Sequence, residues 1–123
     1  LPSLVKAYRI QDKARAVGFD WEEAQEVWTK VEEELQEVRQ ALETKDAEDV
    51  EGEFGDLLFA VVNAARLYGV NPDNALERTN RKFISRFGYI ESQAKAQGRD
   101  IKDLTLAEMD AIWDEAKQKE RES

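Results

Sequence analysis

Residues 20–43, DWEEAQEVWTKVEEELQEVRQALE, decide the fold of this chain. Apolar side chains recur in this stretch at three- and four-residue steps, which is the period of one helical face. Asp20 and Glu23 have the spacing of a capping box, in which two side chains satisfy free backbone amides at a helix start. The stretch therefore predicts an amphipathic helix from Asp20 to about Glu43. Its apolar stripe consists of Ala24, Val27, Trp28, Val31, Leu35, Val38 and Leu42.

Start and stop signals mark further helices on both sides of this one. Capping residues precede helical patterns, glycines follow them, and no strand-like alternation occurs anywhere in the chain. The sequence predicts an all-α fold, with four to five helices in an antiparallel bundle that forms a single domain over residues 1–123. A first helix is predicted from Leu4 to Val17, and a last one from the Thr105–Glu108 capping box to about Lys119. After a break at Thr44, Lys45 and Asp46, a helix capped by Asp46 is predicted to run to about Tyr68 and to stop at Gly69. The next helix is predicted from Asp73 to Gln97, with Asn71 as its cap, Pro72 at its first position and Gly98 at its end.

The composition restricts the chemistry that the chain can perform. It has 123 residues, no cysteine and no histidine, which excludes thiolate nucleophiles, Cys-type zinc sites and a histidine base. Carboxylates remain as metal ligands, and they suit Mg²⁺ or Mn²⁺.

Charge and hydropathy restrict the partners and the location. A net charge of −9 repels nucleic acid polymers, so no such partner is expected. No apolar run long enough to span a bilayer and no signal peptide is found, so a cytoplasmic protein without membrane contact is expected. The chain begins at Leu1 without an initiator methionine and is therefore expected to be a fragment or a trimmed chain.

Two adjacent predicted helices each carry a pair of carboxylates at helical spacing. Glu34 and Glu37 are three residues apart, and so are Glu53 and Asp56, which places each pair on one face of its helix. A short connection makes the two helices antiparallel neighbours, so the pairs can converge. Four carboxylates gathered together would repel one another, and divalent cations would relieve that repulsion. The alternative is a solvated acidic surface, since the chain contains 27 acidic residues.

The third long helix concentrates positive charge in an otherwise acidic chain. Lys82 and Arg86 are four residues apart and share a face, with Phe83 and Phe87 expected to pack inward beside them. Such cations can hold phosphate groups, with arginine as a planar fork and lysine as a point charge. The alternative is that they pair with the acidic surplus.

Two glycines inside the helix after Asp46 require an explanation. Gly52 and Gly55 each cost about 1 kcal/mol relative to alanine in a helix interior. Close approach of another backbone or of a ligand is the favoured reason.

Three motifs in order give the chain a family resemblance. They are Glu-Glu-x-x-Glu at 33–37, Glu-x-x-Asp at 53–56, and Asn-x-Lys-Phe-x-x-Arg-Phe at 80–87, with matching flanks at 18–21, at 55–60 and around Trp113. In this order they resemble the MazG nucleotide pyrophosphohydrolases, specifically the C-terminal half of the two-domain bacterial proteins. The resemblance covers nearly the whole chain.

The resemblance implies an all-α homodimer that uses Mg²⁺, with Mn²⁺ as the alternative. The implied reaction is hydrolysis of nucleoside triphosphates, NTP or dNTP, at the α–β phosphoanhydride to the monophosphate and pyrophosphate. Carried over by motif position, the implied metal ligands are Glu34, Glu37, Glu53 and Asp56, with Glu33 as a supporting acid. The resemblance also implies that Glu34 or Glu37 acts on the attacking water. Lys82 and Arg86 would hold phosphates and assist catalysis, and Asn80 would bind the substrate. One departure is Asp49, which stands where some relatives carry a lysine.

Other interpretations of the chain remain open. It could be a relative specialised for dUTP, dCTP or phosphoribosyl-ATP, or a non-catalytic helical dimerisation module. Phe19, Trp21 or Trp28 could stack on a base, although core packing is the alternative for each. Asn63 and Arg66 are weaker site candidates, because their positions also suit a structural role.

Overall fold

The computed structural model describes residues 1–44 and 46–123, and helices are the regular structure found in them. The all-α fold class is confirmed. The helices are α1 (Ser3–Ala16), α2 (Val27–Thr44), α3 (Ala47–Leu67), α4 (Pro72–Ala96) and α5 (Leu106–Glu122), with short 3-10 helices at Ala24–Glu26 and Ile101–Asp103. None of these helices combines the length and apolar character needed to cross a membrane.

Local sequence signals set most of the helix ends. The Asp46 side chain accepts hydrogen bonds from two backbone amides in the first turn of α3, as predicted. Asn71 accepts the amide of Asn74 at the start of α4, and Thr105 forms the predicted capping box of α5. Gly69 follows the end of α3 with a φ of 72°, a left-handed conformation that glycine adopts without steric cost. Of the predicted break before α3, Lys45 lies outside the described residues.

The capping box predicted at Asp20 is wrong. The α-helix begins only at Val27, after the 3-10 turn Ala24–Glu26, and Glu23 makes no capping hydrogen bond. Asp20 instead accepts a hydrogen bond from the Arg66 guanidinium at 2.7 Å and from the backbone amide of Trp21. A charge-assisted bond to arginine is stronger than a bond to a backbone amide, so it determines the position of Asp20.

The chain divides into two compact units, Leu1–Ala75 and Leu76–Ser123. In the first unit the antiparallel pair α2 and α3 makes the most extensive helix contact, and α1 packs on α3. The residues buried in this unit are mostly small, which lets the helices approach closely. They include Val27, Val38, Ala41, Ala60, Val62 and Ala64.

The second unit has its own apolar cluster. Ile90 and Ala94 of α4 are buried with Leu104, which precedes α5. Phe83 and Phe87 were expected to pack inward, but they are 57% and 38% exposed. Their rings stack on each other with centroids 6.0 Å apart, and the Phe83 ring also packs against Trp113 of α5, with centroids 5.4 Å apart.

The apolar stripe predicted on α2 is only partly buried. Val27 and Val38 are buried, but Trp28, Leu35 and Leu42 are 48%, 40% and 51% exposed. These three recur every seven residues, so they share one face of the helix. A similar row on α3 consists of Phe54, Leu58 and Val61, which are 45%, 61% and 46% exposed. The described chain thus leaves a large apolar surface on its two best-packed helices.

We expect replacement of Asp20 by alanine to destabilise the protein by about 2–3 kcal/mol, because it leaves a buried guanidinium without its counter-charge. The Arg66 side chain is only 5% exposed, and it retains hydrogen bonds to Asn63, which limits the loss. Urea unfolding at pH 7 measures the change. Arg66 lowers the pKa of Asp20 below its ordinary 3.8, so the difference between variant and wild type should shrink as the pH falls below that value.

The matched control is Asp12→Ala, which removes an ion pair with Arg15 at 3.1 Å whose two side chains are about half exposed. We expect a change within about 0.5 kcal/mol. Equal losses in the two variants would show that burial adds nothing to the Asp20 ion pair.

Candidate metal centre and adjoining cavity

Three carboxylates from α2 and α3 meet in the first unit. Glu34, Glu53 and Asp56 each offer one oxygen, and these oxygens lie within 4.8 Å of one another. Glu34 is only 8% exposed, while Glu53 is half-buried and Asp56 is exposed. The group, called the acidic trio below, forms because α3 returns antiparallel to α2 and brings Glu53 and Asp56 beside Glu34. Three of the four predicted metal ligands are thus together.

Burial and neighbouring negative charge both act on the Glu53 carboxyl group. Its pKa is raised above the ordinary 4.5, first by desolvation and then by the charges of Asp56, Glu37, Glu34 and Asp49. Glu37 is exposed and lies one turn beyond Glu34, outside the acidic trio, but its charge acts on Glu53. The fourth predicted ligand therefore lies within electrostatic reach of the trio.

Lys30, which belongs to none of the predicted site motifs, contacts the acidic trio. The Lys30 ammonium lies 2.9 Å from Glu34 Oε1 and 3.9 Å from Glu33 Oε2. The hydrogen bond from Lys30 to Glu34 is the main cause of the raised pKa of this lysine. The sequence contains a signal for this contact, because Lys30 and Glu34 have the four-residue spacing of a helical ion pair.

The predicted phosphate-binding cations lie in the second unit. Asn80 and Lys82 are exposed on α4. Arg86 is engaged by α5: its Nε and one terminal nitrogen donate to the Glu120 carboxylate at 3.1 and 2.9 Å, and its guanidinium lies over the Trp113 ring. Ion pairing was the alternative considered for these cations, and the structure shows it for Arg86.

A cavity of about 670 Å³ adjoins the acidic trio in the first unit. Lys30, Glu34 and Asp56 form part of its lining, so the trio and the cavity share two residues. The rest of the wall is largely apolar. The apolar lining consists of Ile10, Ala14, Phe19, Trp21, Phe59 and Ala60.

The weaker site candidates occupy the wall of the same cavity. Asn63 Oδ1 accepts two hydrogen bonds from Arg66, at 3.1 and 2.8 Å, and Arg66 also binds Asp20. Both residues therefore have a structural role at the cavity surface. Among the aromatic candidates, Phe19 and Trp21 line the cavity, whereas Trp28 donates to the Tyr68 hydroxyl at 2.9 Å.

Gly52 and Gly55 are not explained by close packing among the described residues. A Cβ built at either position has no atom within 4 Å, and both glycines are exposed on α3. The expected approach of another backbone is therefore not found within the described chain.

Comparison with known proteins identifies related sequences. Residues 21–89 match the family model of the MazG nucleotide pyrophosphohydrolase domain. A Thermotoga maritima protein, "Nucleoside triphosphate pyrophosphohydrolase/pyrophosphatase MazG", is 42% identical over 95% of this chain and 45% of its own length. The Escherichia coli K12 "Nucleoside triphosphate pyrophosphohydrolase" is 40% identical over 98% of this chain and 46% of its own length.

A third relative is a Bacillus subtilis protein described as "Uncharacterized protein YabN". It is 51% identical over 61% of this chain, which corresponds to 15% of its own length. The chain therefore spans less than half the length of each of these three relatives.

We expect Glu53→Gln to raise the thermal stability of the metal-free protein at pH 7, by ~1–2 °C. A carboxyl group with a raised pKa destabilises the fold once it ionises, so the gain should appear as the pH rises above the ordinary 4.5 and disappear below it. Thermal unfolding in EDTA between pH 3.5 and 7.5 measures this. Glu51→Gln, at an exposed position on the same helix, is the control. A lower melting temperature for Glu53→Gln at pH 7 would contradict repulsion in the acidic trio.

Proposed function

Because the chain belongs to the MazG nucleotide pyrophosphohydrolase family, we propose that it hydrolyses nucleoside triphosphates to the monophosphate and pyrophosphate with the help of Mg²⁺. The observation that carries this proposal is the acidic trio at the edge of a cavity large enough for a nucleoside. We further propose that residues 1–123 act as one pyrophosphohydrolase domain.

The residues of the acidic trio suit a hard divalent cation. All the donors are carboxylate oxygens, which Mg²⁺ and Mn²⁺ prefer. Desolvation and then the charges of neighbouring carboxylates raise the pKa of Glu53, and a bound cation would oppose both effects. Glu34, Glu53 and Asp56 would hold the ion, and Glu37 completes the set predicted from the motifs. When bound, such an ion neutralises phosphate charge and lowers the pKa of a coordinated water.

The chain's own residues supply the remaining chemistry. Glu37, exposed beside the trio, can orient the attacking water and accept its proton, since no histidine is present. Lys30 offers a cation at the trio. It could take the part of the lysine that some relatives carry at the position of Asp49. Lys82 and Arg86 retain their predicted role of holding phosphates, which for Arg86 requires that phosphate compete with Glu120.

We expect incubation with each common NTP and dNTP to release pyrophosphate and monophosphate in Mg²⁺ and not in EDTA. Asp56→Asn and Glu37→Gln should each lower turnover more than tenfold without changing helical circular dichroism, because each removes a carboxylate from the proposed centre. Glu51→Gln should retain wild-type turnover. Chromatography of the products with a pyrophosphate assay measures all four proteins.

The products separate the alternatives. Release of orthophosphate and diphosphate would mean a different hydrolase. Turnover of a single nucleotide would identify a specialised relative. No turnover, combined with no Mg²⁺-dependent rise in melting temperature, would identify a non-catalytic helical module. More than about a tenth of wild-type activity in both acid variants would remove the roles assigned to Glu37 and Asp56.

We propose a homodimer built on the exposed apolar rows of α2 and α3. Monomeric proteins rarely expose so many large apolar side chains on one pair of packed helices. The rows lie on helical faces with a seven-residue repeat, and such faces pair with the helices of a second copy. A partner seated on α3 would also supply the close approach that Gly52 and Gly55 lack within the described chain.

We expect Leu58→Asp to shift the protein from dimer to monomer in light scattering at micromolar concentration, because it places a charge at a residue that is 61% exposed in the α3 row. Leu106→Asp, at a site 72% exposed at the start of α5, is the matched control and should remain dimeric. A monomeric wild-type protein, or equal behaviour of the two variants, would overturn the proposed interface.

A further inference from the structure

The cavity beside the acidic trio has the character of a nucleoside site. Its volume of about 670 Å³ lies in the usual range of small-ligand pockets, and its wall combines aromatic and aliphatic surface with polar and charged side chains. Glu34 and Asp56 line it at the trio. A nucleotide whose phosphates lie at the trio would therefore extend its base into this cavity.

One polar group in the cavity wall lacks a partner. Gln11 of α1 lines the cavity and is 7% exposed. Its Nε2 donates to the Phe59 carbonyl oxygen at 2.9 Å, which identifies the other terminal atom as the oxygen. That atom, Oε1, is buried and has no hydrogen-bond donor among the described residues. A buried acceptor without a donor is costly, so native proteins rarely retain one without a reason.

We propose that Gln11 Oε1 reads the base by accepting a hydrogen bond from an exocyclic amino group, so that the site favours bases carrying such a donor. This inference rests on the proposed function, which places the phosphates at the acidic trio. The ligand class is a nucleoside triphosphate with an amino-bearing base, such as adenine or cytosine. Phe19 and Trp21 supply aromatic surface for the flat base in the same cavity.

The physical basis of the selection is the fixed orientation of the amide. Because Phe59 holds Nε2, Gln11 cannot turn its amide to donate to the base without breaking that hydrogen bond. A base with an oxygen in place of the amino group would place this acceptor against the acceptor Oε1, and no hydrogen bond could form between them. Sites built around a specific hydrogen bond discriminate strongly against ligands that cannot form it.

The position of Oε1 requires an adjustment when the ligand binds. The oxygen has almost no exposed surface, so contact with a base requires a neighbouring side chain of the cavity wall to rotate while the Gln11 amide keeps its hydrogen bond to Phe59. Such rotations commonly accompany binding without movement of the backbone. Phe19 is 82% exposed and is therefore free to change rotamer.

The test uses two substrate pairs that differ at the exocyclic position: ATP against ITP, and CTP against UTP. We expect the wild-type protein with Mg²⁺ to show kcat/KM about tenfold or more higher for ATP than for ITP, and for CTP than for UTP. Dissociation constants measured by calorimetry should follow the same order. Equal values within both pairs would overturn the inference, with no variant required.

Gln11→Met removes the acceptor and keeps a similar volume. We expect it to reduce both ratios towards one, through loss of activity on ATP and CTP and through relief of the acceptor–acceptor repulsion for ITP and UTP. Gln40→Met, at an exposed position on α2, should leave both ratios at the wild-type value. Ratios that persist in Gln11→Met would assign base selection to another residue and overturn the role of Gln11.

The measurements distinguish failure of this inference from failure of the proposed function. Turnover of all four triphosphates at equal kcat/KM would support the proposed hydrolase function and exclude base selection by Gln11. Absence of turnover with tighter binding of ATP than ITP would support base selection and exclude the hydrolase function. Absence of turnover with equal binding would reject both.

Discussion

Mutual repulsion among carboxylates held between two packed helices is the constraint on which the site depends. The contact of α2 with α3 fixes Glu34, Glu53 and Asp56 within 4.8 Å of one another, although each charge would be more stable further from the others. Desolvation first, and then the charges of the neighbouring carboxylates, raise the pKa of Glu53. Lys30 offsets part of the repulsion at Glu34, which allows that acid to be largely buried. A bound divalent cation would offset the rest.

The packing that creates the site also leaves apolar surface uncovered. Small side chains such as Ala41, Ala60 and Ala64 fill the buried positions and bring the helix backbones close together. The large residues of the same helices, Trp28 and Leu58 among them, then remain at the surface of the described chain. Close helix contact and an exposed apolar face are therefore two results of one distribution of residue sizes.

Local features of the fold could be predicted from the sequence, whereas most long-range ones could not. The caps at Asp46, Asn71 and Thr105 depend on residues two or three positions away, and the structure confirms them. The cap expected at Asp20 failed because its partner, Arg66, lies 46 positions away. Helical spacing also brought together three of the four predicted carboxylates. The unpartnered oxygen of Gln11 depends on a carbonyl 48 positions away, so no sequence pattern could indicate it.

For the proposed function, the net charge of −9 makes recognition of a triphosphate the hardest requirement. Long-range electrostatics oppose the approach of such an anion, so favourable contacts must be short-range and local. A cation at the acidic trio and the Lys30 ammonium would provide them for the phosphates, and the aromatic and aliphatic surface of the cavity would provide them for the base. Dividing the ligand between a charged end and an uncharged end allows an acidic protein to bind an acidic substrate. Selectivity among nucleoside triphosphates would then depend on contacts with the base, because every nucleoside triphosphate presents the same phosphates.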